Sequence, residues 1–109
     1  MHTLIEDSDL EWLELGGGIK RKVMAYNDQM MVVKVAFEAG GIGELHSHPH
    51  TQASFVASGK FEITIDGNTK MLKGGDVYFV PSGLVHGAIC LEDGELLDVF
   101  HPFREDFIS

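Results

Sequence analysis

The sequence predicts an all-β fold, a sandwich or barrel of short strands, on three observations. Breaks rich in glycine and turn residues recur along the chain, at Gly16-Gly17-Gly18, Asn27-Asp28, Gly40-Gly41, Asp66-Gly67-Asn68, Gly74-Gly75, Pro81-Ser82-Gly83 and Glu92-Asp93-Gly94. Turn signals roughly 8–12 residues apart are typical of β-sandwiches and barrels. Between the breaks, apolar residues alternate with polar ones: Phe61, Ile63 and Ile65 interleave with Lys60, Glu62 and Thr64, the pattern of a half-buried strand. A 3.6-residue apolar stripe is suggested only over residues 9–15, around Leu10 and Leu13, and Gly16 ends it at once.

The elements follow from where the breaks fall. Strands are expected over 19–26, after the glycine triplet, and over 30–37, after Asn27-Asp28. Two more are expected over 53–57 and 60–65, the second leading into Asp66-Gly67, a dipeptide that favours a tight hairpin turn. The strands over 77–80, 85–91 and 95–103 complete the set, with a short turn around 104–108.

At 109 residues, with 44% hydrophobic and 23% charged residues, the chain has the composition of one globular domain spanning 1–109. Eight Lys+Arg against 17 Asp+Glu leave a formal net charge of −9. Such a surface is repelled by nucleic-acid phosphates and anionic lipid, so neither is an expected partner, although a local basic pocket for a small anion is compatible with it. Cys90 is the single cysteine, which excludes an intrachain disulfide and a cysteine-based zinc finger; in its apolar strand it reads as a small buried hydrophobe. The N-terminus turns acidic before any apolar run of signal-peptide length, and no run is long enough to span a membrane. A soluble cytoplasmic protein is expected.

The histidines are the chemically informative residues. His46 and His48 lie two apart, so on a strand both rings project from one face roughly 6.6–6.8 Å apart and can converge on one ion. Pro49 forces His48 towards extended geometry. Gln52, just past the bend, offers an amide oxygen as a third ligand, and only strand pairing can bring His86 to the same place. An isolated His-x-His is weak evidence, since neighbouring surface histidines are common. His50, in the bend, reads as exposed or as a support for the ligands; His2 and His101 read as solvated or locally satisfied.

The framework around these residues is more specific. Gly40, His46-x-His48, Gln52 and Gly59 form one block over 40–59, and Gly75, Pro81-x-Gly83 and His86 a second over 75–90. The two blocks resemble the two motifs of the cupin family, with Gln52 where the first motif usually has glutamate and Cys90 where the second usually has asparagine. The resemblance implies a small antiparallel β-barrel of two packed sheets, a double-stranded β-helix of jelly-roll type, holding a divalent metal inside. Three histidines and a neutral amide leave the charge of that ion uncompensated, which favours anionic substrates and Lewis-acid chemistry. Histidine and amide ligands suit nickel, zinc, iron, cobalt or manganese alike.

The last strand carries an acid among apolar residues, Leu96-Leu97-Asp98-Val99-Phe100, with Asp98 and Phe100 on one face. An unpaired carboxylate is costly to bury, so Asp98 faces either a solvated edge or a polar cavity. Arg104 follows where the strand should leave the barrel; it reads either as a surface partner of Glu105 or Asp106 or as a cation at the barrel mouth. Taken whole, with Gly16–Lys22, His46–Gln52, Ser58–Glu62, Leu97–Phe100 and Arg104–Phe107, the chain is similar to the small single-domain cupins of pectin degradation. That similarity implies linearisation of cyclic 4,5-unsaturated monouronates, from pectin or alginate, to their open-chain keto form. It also implies metal ligands at His46, His48, Gln52 and His86, and catalytic or substrate-binding roles for Asp98, Phe100 and Arg104. A cupin oxygenase or isomerase with another small substrate, and a non-catalytic sugar-binding module, are the competing readings. Open sheet edges make a homodimer the expected assembly.

Overall fold

The computed structural model describes residues 3–108, and among them every extended element is a β-strand and no α-helix is present. The strands are β1 (Leu13–Gly16), β2 (Ile19–Tyr26), β3 (Met31–Phe37), β4 (Ile42–His46), β5 (Thr51–Ile65), β6 (Asn68–Lys73), β7 (Val77–Val80) and β8 (His86–His101). Short 3-10 turns lie at Asp7–Asp9 and Glu105–Phe107. His2 lies outside the described residues.

All pairings are antiparallel, and the path runs β1-β2-β3-β8-β5-β6, with β4 on β8 and β7 on β5. The long strands β5 and β8 hold the barrel together, because each belongs to two sheets. The first half of β5 pairs with β7 and the second half of β8; its second half pairs with β6 and the first half of β8. The changeover falls where the β5–β8 register shifts, between Val56 and Phe61. Gly59 there has φ +84°, and a Cβ on it would lie 2.6 Å from the Asp93 oxygen and the Gly94 Cα. Both strands therefore need glycine where their backbones cross.

Three sequence expectations are corrected. The 53–57 and 60–65 segments are one strand, as are 85–91 and 95–103: Ser58-Gly59 and Glu92-Asp93-Gly94 bend a continuous strand instead of ending it. The helical hint over 9–15 gives way to a 3-10 turn and β1, since Leu13 and Glu14 pair with Arg21 and Lys20 in the sheet. Residues 68–73, not among the expected strands, form β6, the return arm of the hairpin turned at Asp66 (φ +50°) and Gly67 (φ +79°).

Alternation fills the barrel. Phe37, Val56, Phe61, Ile63, Val80, Cys90 and Leu96 form its larger apolar cluster, with the Phe37 and Phe61 rings edge-to-face at 5.2 Å. Met31, Val33 and Phe100 form a second. Cys90 is buried as expected.

Candidate metal centre and cavity

The two histidine motifs meet through β4 and β8. His46 closes β4 and is the register partner of His86, the first residue of β8. The strand stops at His46, so His48 does not share its strand face as the spacing suggested; it approaches from the bend leading into β5, with its carbonyl accepting the Gly83 N–H at 2.9 Å. Gln52, second residue of β5, reaches the same place from the barrel interior. One potential ligand atom from each of the three histidines lies within 4.8 Å of the others.

Hydrogen bonds turn these rings in a consistent way. The Nδ1 atoms of His46, His48 and His86 contact the carbonyls of Glu44 (2.8 Å), His50 (3.1 Å) and Leu84 (3.0 Å). A carbonyl only accepts, so Nδ1 carries the proton and Nε2 of the neutral ring presents a lone pair. The Nε2 of His86 is buried with no partner. The Nε2 of His48 lies 3.0 Å from Oε1 of Gln52, whose amide Nε2 donates to Ser54 Oγ at 2.9 Å. Two atoms so close are bridged either by a proton or by a metal ion. Burial, with Arg104 adding repulsion, lowers the His48 pKa, and burial lowers that of His86, which opposes the protonated ring. Three imidazoles whose Nδ1 atoms are anchored to carbonyls form a donor set suited to a divalent transition ion.

The Gln52 network continues inwards. Ser54 Oγ donates to Asp98 Oδ1 at 2.6 Å, so the chain runs His48, Gln52, Ser54, Asp98. Asp98 is 8% exposed and lines the cavity, which decides between edge and interior. Burial raises its pKa to about 6, against the opposing pull of the Ser54 hydrogen bond and Arg104. Tyr78, also buried and lining the cavity, is pushed well up by burial and by Asp98.

Phe100 follows Asp98 on the inner face of β8, with its ring edge-on to His48 and Phe107 at 5.7 Å from each. Arg104 satisfies both sequence readings. Its Nε and Nη2 donate to Asp106 at 3.1 and 2.8 Å, while the guanidinium lies 4.2 Å from the Phe107 ring centre and lines the cavity. The cavity encloses about 450 Å³, within the usual size of small-molecule sites. His46, Gln52 and His86 line it together with Asp98, Phe100 and Arg104.

His50 stands beside the histidine cluster and contacts the Phe103 carbonyl through Nε2 at 3.1 Å; His101 is exposed and contacts the Gln29 carbonyl. Three residues escaped the sequence reading: Tyr78 and Arg21, which line the cavity, and Ser54, which links Gln52 to Asp98. Ser54 sits between Gln52 and Val56 on the inward face of β5, and Arg21 between Ile19 and Val23 on β2. A polar residue at an inward position of an alternating strand is the signal that marks both.

A two-sheet antiparallel barrel with a histidine cluster at one end of its interior defines the class, and the comparisons agree with it. The family profile described as Cupin domain matches residues 33–100. The pectin degradation protein KdgF of Dickeya dadantii is 44% identical over 99% of this chain and 100% of its own length. The structure of KdgF from Halomonas sp. superposes with a TM-score of 0.94 at 33% identity, covering 99% of this chain and 100% of that one. An RmlC-like cupin from Shewanella frigidimarina superposes at 0.96 with 40% identity, over 99% and 97% of the two chains. The chain belongs to the cupin family and, within it, to the pectin degradation proteins of KdgF type.

Proposed function

We propose that the protein opens the ring of a 4,5-unsaturated monouronate, a product of pectin or alginate lyases, and releases the linear keto acid. The observation that carries this reading is the hydrogen-bonded chain from His48 through Gln52 and Ser54 to Asp98, which ties a metal-type ligand set to a buried carboxylate in one cavity. The KdgF relatives support pectin breakdown as the setting.

The reaction is an isomerisation and needs neither oxidant nor water. The anomeric hydroxyl loses its proton, the bond from C1 to the ring oxygen breaks, and C1 becomes an aldehyde. The freed enol at C5 takes a proton at C4 and becomes a ketone. One group must therefore accept a proton and another proton must be delivered nearby. Asp98, with a pKa near 6, is matched to both tasks at neutral pH, and a positioned carboxylate contributes typically about 10²–10⁴-fold. His46, His48, Gln52 and His86 would hold one divalent ion, which supplies Lewis acidity towards the sugar oxygens. Phe100 packs against the sugar ring, and Arg104 brings positive charge to its carboxylate.

The test is loss of ultraviolet absorbance when the protein is mixed with lyase-derived monouronates. Asp98→Asn should keep its metal and its fold and lose about 10²-fold or more in kcat. Turnover by a folded, metal-loaded Asp98→Asn near the wild-type rate removes Asp98 from the acid/base role.

A homodimer is part of the proposal. Phe55, Val77 and Phe79 form an apolar patch on β5 and its edge neighbour β7, with Phe55 opposite Val77 and Phe79 opposite Ala53. Val77 and Phe79 are 60% and 58% exposed, and a second copy covering them would also protect the sheet edge.

A further inference from the structure

Arg21 is an inward-facing arginine that forms no ion pair among the described residues. Its neighbours Ile19 and Val23 on the same face of β2 pack against the two apolar clusters, so the guanidinium projects into the barrel and lines the same cavity as the histidines. It stacks on Phe107 with its central carbon 3.8 Å from the ring centre. The buried cation of β2 differs: Lys22 is paired with Asp7, which also takes Lys34. Among the described residues, no ion pair includes Arg21.

Arg104 approaches the same Phe107 ring, yet its fork is already engaged. Asp106 accepts from both Nε and Nη2, which occupies the edge of the guanidinium best shaped for a carboxylate. Two guanidiniums thus converge on one aromatic ring, and Asp106, the carboxylate whose charge acts on both, is hydrogen-bonded to Arg104. Burial, with repulsion from Arg104 added and attraction to Asp106 opposing, lowers the Arg21 pKa. An anion arriving in the cavity relieves this repulsion and meets a free planar fork.

We infer that Arg21 is the principal anchor of the substrate carboxylate, binding it through the unengaged guanidinium fork while Arg104, held by Asp106, contributes charge from beside the same Phe107 ring. The inference rests on the ring-opening reading for the identity of the sugar acid, but not for the anion site itself. It makes Arg21 the residue that distinguishes a uronate from its methyl ester or from a neutral sugar.

The experiment compares wild type, Arg21→Gln and Arg21→Lys on the unsaturated galacturonate and on its methyl ester, with metal content and thermal unfolding checked for each. A charge-assisted bidentate contact corresponds to roughly 10–100-fold in affinity. Arg21→Gln should raise KM for the acid by that factor, leave KM for the ester unchanged and abolish the preference between them. Arg21→Lys, which keeps the charge and loses the fork, should fall between and serves as the test if the glutamine variant does not fold. An unchanged acid-over-ester preference in the folded variants overturns the assignment, as does a fall in kcat with KM unmoved. If wild type turns over neither compound, the ring-opening reading fails, and calorimetric binding of D-galacturonate against D-galactose still tests the anchor. A wild-type preference for the acid that Arg21→Gln loses supports it; equal binding of the two sugars by wild type, or a preference that survives in Arg21→Gln, overturns it.

Discussion

Asp98 links stability to pH in the direction opposite to most carboxylates. Below about pH 3.8 it is protonated in both folded and unfolded chains and contributes no pH dependence. Between 3.8 and about 6 the unfolded chain gives up the proton first, because burial holds the folded carboxyl neutral. The folded state therefore loses ground as pH rises through this window. Above it the full cost applies, roughly 2.2 pKa units or about 3 kcal/mol. In chelator-treated protein, Asp98→Asn should gain on wild type by up to about that amount between pH 4 and 7, as urea midpoints will show; a difference flat with pH means the carboxyl is not raised. Gln52 makes a second prediction. Its amide nitrogen on Ser54 aims its oxygen at His48, and a glutamate there would add a negative ligand while placing an oxygen against Ser54. Gln52→Glu should hold the metal at least as firmly and turn over more slowly, because added negative charge weakens Lewis acidity. Metal content measured beside kcat separates the two effects.

Among the elements, the shared strands β5 and β8 determine whether the barrel closes. Their crossing depends on backbones packed too closely for any side chain at Gly59, where a Cβ would meet Asp93 and Gly94 at 2.6 Å. Gly67 also has positive φ, +79°, but stands in open space at a hairpin tip. The pair separates strain from clash. Gly67→Ala should cost about 1–2 kcal/mol, the price of an L-residue in the left-handed region. Gly59→Ala should cost about 3 kcal/mol or more, since strand separation is added to that strain. Equal losses in urea unfolding would mean that the crossing relaxes without difficulty. The consequence reaches the site, because the first half of β8 carries His86 and the second half carries Asp98 and Phe100.

For the whole molecule, interior and exterior follow different rules. A chain of net charge −9 gathers Arg21 and Arg104 at one cavity, while its exposed apolar residues include the patch on β5 and β7. Phe79→Glu should convert the proposed dimer to monomer without loss of fold, because the side chain is 58% exposed. Sedimentation across a concentration series checks it, and a variant still dimeric at micromolar concentration places the interface elsewhere.

The sequence by itself determined the all-β class, most strand positions, and the family through the spacing of glycine, proline and histidine. These are legible because alternation and turn chemistry act over a few residues. It misjudged Ser58-Gly59 and Glu92-Asp93-Gly94 as strand ends, since a glycine needed for close approach is written like a glycine needed for a turn. Only the tertiary structure decided that His46 and His86, forty positions apart, face each other across β4 and β8, and that His48 joins them from a bend. It also decided that Asp98 is interior, bound to Ser54 forty-four positions away, and that among the described residues Arg21 has no ion pair while Arg104 does. The physical reason is common to all of these. Whether a polar side chain meets water, a ligand or a partner depends on which distant strand lies beside its own, and that pairing is a property of the closed barrel.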